Sequence, residues 1–159
     1  MLKPFPWKPL TLAAFVILIP AVISSCGRSP QPSAQESFQE SMNSSECKEF
    51  AAWYSKTTSG NVPAPSATSA SAAIEEQAKI QEQWAEELNA IASSDKTFQD
   101  LKNRLVKQQK DFANLQRQQA KAIESNNTAE QNRIKSVMQA SVITVNQSVA
   151  ELLKYCSQR

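Results

Sequence analysis

From residue 66 to residue 159 the chain contains neither glycine nor proline. All eight prolines lie at or before Pro65, and the two glycines are Gly27 and Gly60. Tight β-hairpin turns need residues at positive φ, which glycine adopts with least steric cost, so a sheet built on such turns is not expected here. A phosphate-cradling glycine loop is excluded from the same stretch. The expected class is all-α.

The hydrophobic pattern divides this stretch into three helices. The first is expected over residues 72–92, with Ile74, Gln77, Gln81, Trp84, Leu88 and Ile91 alternating by three and four. Ser93, Ser94 and Asp95 supply turn and cap chemistry. The second is expected over residues 96–124, with Phe98, Leu101, Leu105, Gln108, Phe112, Leu115, Gln119 and Ala122 on one stripe. After a turn at residues 125–128, where Asn127 and Glu130 have capping-box spacing, the third runs over residues 128–157. Its stripe is Ile134, Met138, Ser141, Val145, Ser148 or Val149, Leu152 and Cys156. A shorter helix is expected over residues 44–56, capped by Asn43 and Glu46, with Cys47, Phe50 and Tyr54 on one face and Trp53 alongside. A Ser/Pro/Ala-rich loop at residues 57–71 follows it. Short turns make successive helices antiparallel neighbours. The expected architecture is therefore an antiparallel three-helix, coiled-coil-like bundle with a short additional amino-terminal helix. Its seam is polar, with Gln77, Gln81, Gln108, Gln119, Ser141 and Ser148 at or near core positions.

Charge and composition narrow the chemistry. The 17 Lys and Arg against 15 Asp and Glu give a formal net charge of +2, and without Lys3 and Lys8 the two signs balance. A neutral chain has no global field to attract nucleic acid, and none is expected as a partner. The sequence has no histidine, which removes the commonest general base and metal ligand. Glu75, Glu76, Glu82, Glu86 and Glu87 on the first long helix face the notion of a metal or glycosidase site. The simpler expectation is that they pair with the basic residues of the second, which carries Lys96, Lys102, Arg104, Lys107, Lys110, Arg117 and Lys121. No catalytic, cofactor-binding or metal-ligating residue is singled out, and the chain is expected not to be an enzyme.

The amino-terminal residues carry a different kind of signal. Lys3 and Lys8 precede an uncharged apolar run at residues 10–23 that is shorter than the roughly 20 residues needed to span a bilayer and is interrupted by Pro20. This is the layout of a secretory signal. Ile23, Ser24, Ser25 and Cys26 follow, and this tetrad resembles the lipobox of bacterial lipoprotein precursors. The resemblance implies that residues 1–25 are a lipoprotein signal peptide and that Cys26 carries acyl chains. It also implies that residues 26–43 form a lipid-anchored linker ahead of a helical domain at residues 44–159. One acyl chain binds a membrane marginally, whereas two or more hold it stably. Gly27, standing where aspartate often signals inner-membrane retention, favours the periplasmic face of the outer membrane.

With Cys26 assigned to lipid, Cys47 and Cys156 remain as an even pair in an oxidising compartment. Each falls on the apolar stripe of its helix, and a disulfide between them is the leading expectation. Free buried thiols and a dimer-forming or redox role are the alternatives. The bridge would close a loop of about a hundred residues, which the chain-entropy model values at roughly 4 to 5 kcal/mol. Taken together, the expected function is that of a lipid-anchored envelope scaffold, adaptor or accessory subunit. It would meet the membrane through the acyl chains on Cys26 and an envelope protein through a helix face. A self-associating coiled coil, possible as a homo-oligomer, is the runner-up, followed by an envelope ligand carrier or enzyme.

Overall fold

The computed structural model describes residues 44–59 and 66–159. The expected signal peptide, the 26–43 linker and Cys26 lie outside the described residues, as does part of the 57–71 loop. All the regular structure among the described residues is helical: α1 (Ser45–Thr58), α2 (Ala70–Ala90), α3 (Lys96–Glu124) and α4 (Thr128–Ser157). The bounds of α3 and α4 are those expected. Helix α1 runs on to Thr58, and α2 begins at Ala70, so both helices take residues from the predicted loop.

Without glycine or proline to stop them, the helices end by other means. At the end of α3 the amides of Asn126 and Asn127 donate to the carbonyls of Ile123 and Ala122, at 3.0 and 2.9 Å. This is a Schellman closure, which needs one residue in the left-handed region. Asn126 takes it, with φ of 52°. Asparagine tolerates this conformation better than other non-glycine residues because its short polar side chain bonds locally. Helix α4 then starts on Asn127, whose side chain accepts from the Glu130 amide at 3.1 Å. The predicted box is not reciprocal, since the Glu130 carboxylate pairs with Arg133 at 2.6 Å and the Asn127 amide is already spent on Ala122.

Helix α2 ends against a side chain from its neighbour. The ammonium of Lys102, on α3, donates to the carbonyls of Asn89 at 3.0 Å and Ile91 at 2.7 Å. Lys102 is buried, so a cation sits where the last carbonyls of a helix would otherwise be orphaned. Asp95 caps α3 by accepting from the Phe98 amide at 2.9 Å. At α1 the cap is Ser44, which accepts from the Cys47 amide, and not the expected Asn43.

The helices pack as a bundle with two different ends. Helix α3 is the shared member: its contacts with α2 are the most extensive, those with α4 come next, and α1 lies against α2 over a small area. Large side chains gather near the α2–α3 turn, where Phe50, Leu88, Phe98, Leu105 and Leu152 are buried with both cysteines. Further along, α2 and α3 meet through small residues, with Ser71, Ala78 and Ala85 buried on one and Ala113 and Ala120 on the other. The expected α2 stripe holds at Leu88 and Ile91, both buried, but over its earlier turns is displaced by one position, from Gln77 and Trp84 to Ala78 and Ala85. Alanine at a helix contact lets the backbones approach closely, and the bulky Trp84 moves to the flank. On α3 the buried line is Phe98, Lys102, Leu105, Gln109, Ala113, Gln116 and Ala120, whereas the expected Leu101, Gln108, Phe112, Leu115 and Gln119 are half-buried. A helix packed on both sides covers a band wider than one heptad stripe.

Candidate functional site

Three groups of residues in the described structure stand apart from ordinary bundle packing. The first is the end closed by α1. Cys47 lies in the first turn of α1 and Cys156 in the last turn of α4. The two form a disulfide with Cα atoms 5.4 Å apart and a sequence separation of 109. Both are fully buried. On the chain-entropy model a loop of this size contributes roughly 4 to 5 kcal/mol. The bridge is set in aromatic surroundings: Phe50 stacks with Trp53 and Tyr54 at centroid distances of 5.7 and 6.4 Å. Trp53 is buried, and its indole N–H donates to the Trp84 carbonyl at 2.9 Å, joining α1 to α2. Lys56 adds an ion pair to Glu87 at 2.7 Å. Burial pushes the Tyr54 phenol up from its ordinary value.

The carboxyl-terminal residues close the same end. Arg159 lies over the Tyr155 ring at 5.1 Å and reaches the Asp95 carboxylate at 2.5 Å, while Tyr155 contacts Phe98. Asp95 is held below its usual range, first by the Phe98 amide that it caps and also by the nearby Arg159 cation. Elsewhere Glu75, Glu82 and Glu87 of α2 pair with basic neighbours, whereas Glu76 accepts from the amide and hydroxyl of Ser66. Arg117 bonds Glu82 (2.5 Å between Nη2 and Oε2) and approaches Glu75 at 3.7 Å, and the hydrogen bonds from Arg117 lower the Glu82 carboxyl. Arg104 pairs with Glu151 across α3 and α4. Among the described residues no group of three or more His, Cys, Asp or Glu is placed to hold a metal ion.

The second region is the outer face of α4. Residues 136–150 carry no charge, in a chain of which one fifth is charged. The exposed large hydrophobic residues, Val137 at 39% and Ile143 at 60%, both lie within it. Ser136, Ala140, Ile143, Gln147 and Ala150 are all exposed and spaced by four and three, so they line one side of the helix. Sequence reading passed over this second stripe because Ser141, Val145 and Ser148 on the inward side follow the same rhythm.

A third group is buried and polar. The side-chain oxygens of Gln108, Gln109, Gln116 and Gln119 are enclosed and have no hydrogen-bond partner among the described residues. Gln108 and Gln119 were expected near the seam, whereas Gln109 and Gln116 were not, although Gln109 lies one heptad after Lys102 and Gln116 one heptad after Gln109. Cys26 lies outside the described residues, so the structure brings the two bridging cysteines together and leaves the proposed anchor aside. No helix among the described residues is long and apolar enough to cross a membrane. Comparison with known proteins gave no matching family model, no matching curated protein and no matching solved structure.

Proposed function

We propose that this chain is a lipid-anchored helical protein of the bacterial cell envelope, held through acyl chains on Cys26 and acting as a non-enzymatic scaffold, adaptor or accessory subunit. Its domain is read as an antiparallel three-helix bundle with α1 as a short additional member. The order of cross-helix pairs supports that topology: Lys102 meets the end of α2 while Arg117, further along α3, meets Glu82 and Glu75 nearer its start. Membrane attachment rests on the Ile23-Ser24-Ser25-Cys26 tetrad after a positively charged and then apolar leader.

The observation that carries the adaptor reading is the uncharged outer face of α4 with Ile143 at its centre. An exposed apolar position rimmed by small uncharged residues suits contact with another helix, since nothing charged has to be desolvated. The same face would serve a second copy, which is the runner-up. The test is a photo-crosslinking side chain at position 147 in cells, with and without Ile143→Glu. A defined adduct lost in the Ile143→Glu protein, with helix content unchanged, supports the face. An adduct of the mass of two copies moves the assignment to self-association, and an adduct indifferent to the substitution overturns the face altogether. Metabolic incorporation of fatty acid that is abolished by Cys26→Ala tests the anchor separately.

A further inference from the structure

We propose that the Cys47–Cys156 bridge is a redox clasp on α1: reduction by a dithiol releases α1 from the bundle end while α2, α3 and α4 stay folded. The inference goes beyond the anchored-adaptor reading and does not depend on the lipid.

It starts from where the two sulfurs lie. One is in the first turn of α1 and the other in the last turn of α4. Helix termini are the parts of a fold that open at the smallest free energy. Both cysteines are fully buried in the closed form, so a reductant reaches them when these two ends fray. The bond is thus guarded by the local opening of two helix ends and not by unfolding of the domain.

The remaining holds on α1 are few. They are the burial of Phe50, Ala51 and Trp53, the half-buried Tyr54 packed on the same core, one indole hydrogen bond to the Trp84 carbonyl and one exposed ion pair from Lys56 to Glu87. At 14 residues α1 is near the length below which an isolated helix is marginal in water. Outside the core that α1 shares, the long helices have their own support in Ala113, Ala120 and Ile134 and in the Arg117–Glu82 and Arg104–Glu151 pairs. The covalent bond therefore couples a weakly held element to a self-supporting one.

The chemistry has a preferred direction. Cys47 follows the α1 amino terminus, where the helix dipole favours a thiolate, which makes it the better leaving group. A dithiol attacks the Cys156 sulfur as its thiolate, forming a mixed disulfide and displacing the Cys47 thiolate, which takes up a proton. The second thiol of the reductant then resolves the mixed disulfide. The reductant leaves oxidised to its own disulfide, and both cysteines end as thiols with two electrons and two protons gained between them.

The experiment is amide hydrogen exchange on the full-chain protein, oxidised and after treatment with dithiothreitol, with thiol alkylation to count reduced cysteines. Peptides within residues 45–58 are expected to lose at least tenfold in protection while those within residues 96–124 change less than twofold, and reoxidation restores the first group. The double variant Cys47→Ser/Cys156→Ser should reproduce the open pattern without reductant. Four results overturn the clasp: alkylation of both cysteines before any reduction, a bond that resists dithiothreitol under native conditions, unchanged protection of α1 after reduction, or parallel loss of protection in α3. The last would make the bridge a staple for the whole fold.

Discussion

Lys102 offers the sharpest test of how this fold is held together. Replacing it with methionine keeps an unbranched apolar stem of similar volume, so the core around it is conserved. The change removes two charge-assisted hydrogen bonds, to the Asn89 and Ile91 carbonyls, the second of them buried. Hydrogen bonds to charged groups contribute about 1.5 to 3 kcal/mol each, and a cation at a helix carboxyl terminus adds about 0.3 to 1 kcal/mol. Part of that is offset because the ammonium no longer has to be stripped of water. The net expectation for Lys102→Met is a loss of about 2 to 4 kcal/mol, a large share of the 5 to 15 kcal/mol typical of whole domains. The assay is urea unfolding followed by circular dichroism, with the midpoint lowered and the m-value unchanged. Hydrogen exchange should place the local loss in the last turn of α2. Lys102→Ala should cost more, because a cavity is added to the lost bonds. If Lys102→Met is within about 0.5 kcal/mol of the parent, the ammonium contributes packing and not capping, and the account of how α2 ends is wrong.

At the α3–α4 turn, Asn126→Gly should leave stability unchanged or slightly raised, while Asn126→Val should cost about 1 to 2 kcal/mol, both read by thermal unfolding. The joint replacement Gln109→Leu/Gln116→Leu should raise the urea midpoint, since two enclosed side-chain oxygens without partners give way to apolar side chains; a lowered midpoint would mean that those oxygens are satisfied. Glu82, Glu87, Asp95 and Glu130 are all held below their ordinary values by their partners. Their contribution is therefore present above the unfolded-state values and is lost as pH falls from about 5 through the depressed folded-state values, so unfolding midpoints should drop on acidification in that window. Arg117→Gln should flatten the part of this acid dependence that belongs to Glu82.

Helix content was legible because periodicity and the lack of glycine and proline agree over the whole stretch from residue 66. The bounds of α3 and α4 followed from Asp95 and Asn127, two caps whose side chains act locally. Seam register was harder. In α2 the alternation of Trp84 and Leu88 with glutamines looked like a coiled-coil stripe, but apolar bulk is a poor guide where two helices meet through alanine. Ala78 and Ala85 are as hydrophobic as the seam requires and far smaller than the residues that draw the eye. Lys102 is charged and so falls, by sequence, among the basic residues expected to pair with the α2 glutamates, whereas it bonds the Asn89 and Ile91 carbonyls. Its spacing, four after Phe98 and three before Leu105, placed it inward, and only the carbonyls at the end of α2, a tertiary feature, made that burial tolerable. The uncharged outer stripe of α4 was readable as a gap in charge, yet nothing in the sequence distinguished its outward side from its inward one.

The disulfide also fixes how the molecule bears load. Cys47 and Cys156 turn the chain between them into a closed ring, and the residues on either side leave that ring at the same point. A pull applied through the residues before Ser44 passes across the sulfurs into the end of α4, and it never reaches the loop after α1 or the α2–α3 and α3–α4 contacts. Held by its two ends in an optical trap, the oxidised protein would bear tension only in the residues before Cys47 and after Cys156, and the ring between them would show no unfolding step. Once the bridge is cut, the 109-residue separation would give up about 370 Å of contour length. Tension entering from the amino-terminal side is in this way carried past the helical contacts by a single bond.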